Sequence, residues 1–67
     1  MTDDEAAKLI SEMMSWRVQH PDIATAITGC LARNDVTRLA HLPEEELVTL
    51  HDACSAMAEM TEEGFFQ

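Results

Sequence analysis

The candidate zinc ligands of this sequence are Cys30, His41, His51 and Cys54. His51 and Cys54 stand three positions apart, a spacing that puts both on one face of a helix and suits metal chelation. Cys30 and His41 form no second close pair, and Cys30 falls in the middle of an apolar helix face. We therefore interpret both thiols as small buried hydrophobes and His51 as an edge residue, and we expect no metal and no cofactor.

The stretch LPEEELVTLHDACSAM, from Leu42 to Met57, also contains adjacent His51 and Asp52. Adjacent side chains on a helix diverge by about 100°, so this pair does not converge as a catalytic dyad must. A Cys–His nucleophile would also need a third, orienting group and a cleft, for which a helical chain of 67 residues has little room. We expect no catalytic residues and no enzymatic function.

Helix signals run along the whole sequence. Thr2–Glu5 forms a capping box, which opens a first helix that should end near Gln19. The His20–Asp22 segment breaks this helix, because the residue before a proline avoids the helical conformation. Pro21 or Asp22 then starts a second helix, which we expect to cover Asp22–Ala32.

The second half of the chain predicts a short turn followed by a third helix. Asn34 is suited to a left-handed cap, and Asp35 to the N-cap of a short helix over Val36–His41. Pro43 starts the last helix, which should end near Thr61. We predict a single all-α domain over residues 1–67, a small bundle of three main helices with one short helical turn.

Apolar residues fall on one face of each predicted helix. The arc on the first helix spans about 200°, wider than one neighbour requires, so we expect a second neighbour or a homodimer with Leu9, Met13 and Trp16 as contacts. A close helix crossing would explain Gly29 in the second helix. The predicted face of the second helix comprises Ile23, Ala26, Ile27, Cys30 and Leu31. The predicted seam of the third helix comprises Leu47, Leu50, Cys54 and Met57, flanked by Ala53, Ala58 and Met60.

Charge is unevenly distributed along the chain, whose formal net charge is −9. Residues 1–38 hold six acidic side chains against four Lys or Arg, whereas residues 39–67 hold seven acidic side chains and no Lys or Arg. Such a surface repels nucleic acids and anionic membranes and suits a basic protein. No stretch approaches the roughly 18 apolar residues of a membrane span, and the acidic start is unlike a signal peptide, so we expect a cytoplasmic protein with reduced thiols.

These features favour a small non-enzymatic interaction module that binds and modulates another protein through an apolar patch with an acidic surround. Arg17 either extends to water or the helix end, or pairs with a carboxylate of the partner. The two C-terminal phenylalanines either dock to the partner or fold back on the core. The predicted partner-binding residues are Leu9, Met13, Trp16, Arg17, Glu45, Asp52, Glu59, Phe65 and Phe66.

Two alternative functions fit the same composition. Glu45, Asp52 and Glu59 recur every seven residues, about 10.5 Å along a helix, and this acidic stripe allows a nucleic-acid-mimicking inhibitor of a DNA- or RNA-binding protein. The chain also suits a structural subunit of a larger assembly. Its size and acidity are typical of bacterial or mobile-element regulators.

Overall fold

The computed structural model describes the backbone of residues 1–65 and the side chains of residues 1–60. Three helices occur in this part of the chain: α1 (Asp3–Gln19), α2 (Pro21–Arg33) and α3 (Glu44–Phe65), with a 3₁₀ turn at Leu39–His41 before α3. Each helix packs against the other two, which confirms the predicted all-α class. None of the described helices has the length and apolar character needed to cross a lipid bilayer.

The boundary between α1 and α2 follows the sequence closely. The hydroxyl of Thr2 accepts a hydrogen bond from the backbone N–H of Glu5 at 3.2 Å, as the capping box predicts. His20 is extended, with φ −126° and ψ 103°, and its N–H closes α1 by donating to the carbonyl of Trp16 at 2.8 Å. Pro21 takes the first turn of α2, where its missing N–H leaves no hydrogen bond unmade. The two helices are thus joined by a single non-helical residue.

The end of α2 differs from the prediction by one residue. Asn34 does not take the left-handed conformation, since its φ is −94°, and Asp35 takes it instead with φ 55°. The N–H groups of Asp35 and Val36 donate to the carbonyls of Ala32 and Leu31, at 3.2 and 3.1 Å. This pair of bonds is a Schellman motif, in which the left-handed residue follows the cap. Because α2 extends one residue beyond Ala32, that position moves from Asn34 to Asp35.

The predicted short helix and the end of α3 also need correction. Only Leu39–His41 is helical, and its N-cap is Arg38 rather than Asp35. Asp35 is already used by the Schellman motif, and residues 37–38 form a bend before the 3₁₀ turn begins. At the other end, α3 continues to Phe65 instead of ending near Thr61.

One core lies between the three helices and the 3₁₀ turn. The faces of α2 and α3 are largely as predicted, but Ala58 takes the buried place expected of Met57, and Met60 is 69% exposed. On α1 only Met13 is fully buried. The buried residues are Met13, Ile23, Ile27, Cys30, Leu39, Leu42, Leu47, Leu50, Cys54 and Ala58.

Candidate partner-binding surface

The wide apolar arc of α1 is only partly covered by the rest of the chain. Leu9 and Trp16 are half-buried and pack against the core. Met14 and Val18 remain 41% and 83% exposed. The protein therefore presents apolar surface along α1 that the described part of the chain does not bury.

A groove between α1 and α3 combines apolar and acidic side chains. Leu9 of α1 and Val48 of α3 both line it, and Val48 is 38% exposed. The groove encloses about 390 Å³, and the other residues that line it are Met1, Glu5, Lys8, Glu12 and Glu44. We call this the acidic groove, since it places an apolar pair among three carboxylates and one lysine.

The N-terminal amine of Met1 pairs with one of the carboxylates that line the acidic groove. It lies 2.6 Å from Oε1 of Glu44. The hydrogen bond to Glu44, and then the negative charge of that carboxylate, raise the pKa of the amine above its ordinary value. This pairing offsets the charge of Glu44, so the remaining charged side chains of the groove are the carboxylates of Glu5 and Glu12 and one cation, Lys8.

Glu12 lies between the acidic groove and an aromatic pair, Trp16 of α1 and His51 of α3, one turn further along each helix. The rings of Trp16 and His51 lie with centroids 5.3 Å apart and planes tilted by 39°. Nε2 of His51 stands 3.4 Å from Oε1 of Glu12, and it is buried with no hydrogen-bond partner in the described part of the chain. Glu12 therefore both lines the acidic groove and contacts the buried edge of His51.

The predicted acidic stripe lies on the outer face of α3. Glu45, Asp52 and Glu59 are all exposed, with the side chain of Asp52 79% accessible. The stripe faces away from the core seam, as the helical period predicts. Its carboxylates extend the negative field of the acidic groove to the back of α3.

The two thiols lie inside the protein, as predicted. Cys30 and Cys54 are 2% and 0% exposed. Burial, and secondarily the neighbouring Cys30, raises the pKa of Cys54, so its thiol is protonated at neutral pH and is a poor nucleophile. The Sγ atom of Cys30 lies 4.0 Å from Oε2 of Glu46. Among the described residues, no three His, Cys, Asp or Glu side chains are grouped so that they would hold a metal ion.

The structure separates the sequence-predicted contact residues. Leu9 lines the acidic groove, and Trp16 lies near it against His51. Met13 requires a correction, because it is 0% exposed and belongs to the core rather than to any surface patch. Arg17 is exposed and lines a different cleft, toward α2. The side chains of Phe65 and Phe66 lie outside the described residues.

Sequence reasoning missed the carboxylates that surround Leu9. Glu5 and Glu12 come from α1 and Glu44 from α3, so only the packing of the two helices brings them together. The available signal was Val48, an apolar residue that stands off the α3 seam. Comparisons with protein-family models, curated proteins and solved structures return no match to this chain.

Proposed function

We propose that this protein is a non-enzymatic interaction module that binds and modulates another protein through the acidic groove. The observation that carries the proposal is the pairing of Leu9 and Val48 beside the carboxylates of Glu5 and Glu12. An apolar patch with a charged rim is the arrangement expected of a transient protein interface, and on this rim the carboxylates outnumber the cations. The matching partner segment carries an apolar side chain flanked by Lys or Arg.

The two components of this surface have different effects on binding. Exposed ion pairs contribute under about 1 kcal/mol each, so the carboxylates mainly steer the partner and raise its association rate. Burial of apolar side chains slows dissociation, and fully desolvated anchors dominate affinity. We therefore expect association to depend on charge and salt, and dissociation to depend on Val48, Leu9 and Trp16.

The partner is first captured from the native host with the immobilised protein, and its binding is then measured by surface plasmon resonance at two salt concentrations. Neutralising the two groove carboxylates, Glu5→Gln with Glu12→Gln, should lower the association rate and flatten its salt dependence. The matched control is Thr28→Lys with Ala32→Lys, which changes net charge equally on exposed positions of α2. If both pairs lower the association rate equally, net charge alone sets that rate, and the carboxylates of the acidic groove have no specific role.

A second pair of variants tests the apolar component. Val48→Thr keeps the shape of the side chain but removes apolar surface in the groove, so dissociation should become several-fold faster. Val18→Thr makes the same change at a site that is 83% exposed and outside the groove, and it should leave dissociation unchanged. Circular dichroism confirms the fold of each variant. Equal effects of the two substitutions would exclude the acidic groove as the binding site.

The exposed stripe of Glu45, Asp52 and Glu59 favours a second candidate, a nucleic-acid-mimicking inhibitor. Successive carboxylates of the stripe stand about 10.5 Å apart along the helix, farther than neighbouring phosphates of one strand, whose axial spacing is about 3.4 Å. Competition distinguishes the candidates. Double-stranded DNA added to the captured complex displaces a partner held by mimicry, and it leaves in place a partner held only in the acidic groove.

A further inference from the structure

A second cleft, on the opposite side of α1, has the reverse charge. It lies between α1, α2 and residues 37–40, and it encloses about 340 Å³. Ile10, Met14 and Leu31 contribute apolar walls, while Arg17 and Arg38 both line the cleft. We call it the arginine cleft.

The two guanidinium groups are available to a ligand. Arg17 and Arg38 are exposed, and neither has an ion-pair partner in the described part of the chain. They are two of only four Lys and Arg residues in a protein whose net charge is −9. Two unpaired cations beside apolar walls select a ligand that carries carboxylates next to large apolar side chains.

We propose that the arginine cleft binds the C-terminal segment, Glu59–Gln67, of a second copy of this chain. This segment reads EMTEEGFFQ and joins three glutamates to two phenylalanines, the chemistry that the cleft selects. It belongs to the part of the chain that has no Lys or Arg, whereas all four bases lie in residues 1–38. The phenylalanines supply apolar anchors, and the glutamates pair with Arg17 and Arg38.

Reciprocal exchange of these segments between two copies forms a closed dimer, in which each copy contributes one cleft and one segment. The acidic groove lies on the other side of α1 and does not take part. Since each copy carries a net charge of −9, long-range repulsion opposes the dimer, and we expect it to form at high micromolar concentration.

A charge exchange in the full-length chain tests the assignment by sedimentation velocity. Arg17→Glu with Arg38→Glu places carboxylates in the cleft, and Glu62→Lys with Glu63→Lys places cations in the segment. Each pair alone should weaken self-association by about tenfold or more, because like charges then meet. A chain that carries all four substitutions restores opposite charges and should recover most of the wild-type association.

The matched control is Lys8→Glu with Arg33→Glu, which alters net charge as much as the cleft pair does but lies outside the cleft. It should weaken association less than the cleft pair. If either charge-reversed pair unfolds by circular dichroism, the neutral Gln substitutions at the same positions replace it. A wild-type chain that stays monomeric at high micromolar concentration overturns the proposal, and so does a fourfold variant that does not recover. If neither charge-reversed pair changes the association, the dimer forms through another face, and this result also overturns the proposal.

Discussion

At the scale of single residues, burial decides what the thiols can do. Cys30 and Cys54 were predictable as core residues because each falls on a periodic apolar helix face, and such a face is the one that a helix buries when it packs. The contact between Glu12 and His51 was not predictable, because the two residues are far apart in sequence and meet only where α1 packs on α3. Sequence position indicates the face of a helix, but it does not identify the neighbouring helix.

Both thiols should react slowly with a thiol reagent in the native protein and quickly in denaturant. Cys54 is fully enclosed and its pKa is raised by burial, whereas Cys30 borders a groove lined by Arg33 and Glu46. With Cys30→Ala and Cys54→Ala each leaving one thiol, we expect Cys54 to react more slowly than Cys30. Mass spectrometry of timed samples gives both rates. If a thiol reacts as fast in the native protein as in the unfolded chain, its assignment to the core is wrong.

At the scale of elements, helix starts were easier to predict than helix ends. Thr2 and Pro21 act through local chemistry that the sequence displays, and both starts were predicted to within a residue. On α3 the helical period could not choose between Met57 and Ala58, because both lie close to Cys54 on the wheel. The packing of the other helices decides, and it buries Ala58.

The Schellman motif at the end of α2 gives a prediction that separates two adjacent residues. Asp35→Gly should stabilise the protein by about 0.5–1 kcal/mol, because glycine accepts the left-handed φ of 55° without a Cβ penalty. Asn34→Gly, at the position that the sequence favoured, should destabilise it, because the side-chain amide of Asn34 donates to the carbonyl of Cys30 at 2.8 Å. Urea unfolding measures both. The opposite order would mean that Asn34 holds the left-handed position.

Gly29 was expected to allow a close helix crossing, and the described structure shows none. A Cβ built at this exposed position meets no atom within 4 Å. Gly29→Ala should therefore raise the free energy of unfolding by about 1 kcal/mol, the usual difference in helix propensity. Ala26→Gly on the same helix should lower it by at least that amount. Destabilisation by Gly29→Ala would indicate that the backbone there packs closely against a neighbour.

At the scale of the whole molecule, charge is organised by faces rather than by halves of the sequence. The seven-residue spacing of Glu45, Asp52 and Glu59 correctly predicted an exposed stripe on α3. Glu5 and Glu12, from the more neutral half of the chain, contribute carboxylates to the acidic groove. Arg17 and Arg38 line one cleft although many residues separate them. Composition predicted the sign of the surface, and only the packing of three helices defined where each sign is concentrated.

The same packing predicts that stability falls on the alkaline side. The pKa values of the N-terminal amine and of the Cys54 thiol are both raised in the folded protein, so the native state holds these protons more tightly than the unfolded chain. Their unfolded pKa values are about 8 and about 8.5, and their stabilising contribution is complete below those values. It is lost as the pH rises through the folded values. Urea unfolding from pH 7 to pH 10 should therefore give a decreasing free energy of unfolding.

Two variants test which of the two groups causes the fall in the free energy of unfolding with pH. Glu44→Gln removes the carboxylate that holds the amine proton, so the curve should flatten just above pH 8, where the free amine titrates. Cys54→Ala lowers stability at every pH because it leaves a cavity in the core, but it should flatten the curve above about pH 9. The slope, rather than the absolute stability, is the quantity to compare. Variant curves that run parallel to the wild-type curve would show that neither proton is linked to folding. The loss of stability at alkaline pH would then come from charge repulsion within a chain whose net charge is already −9.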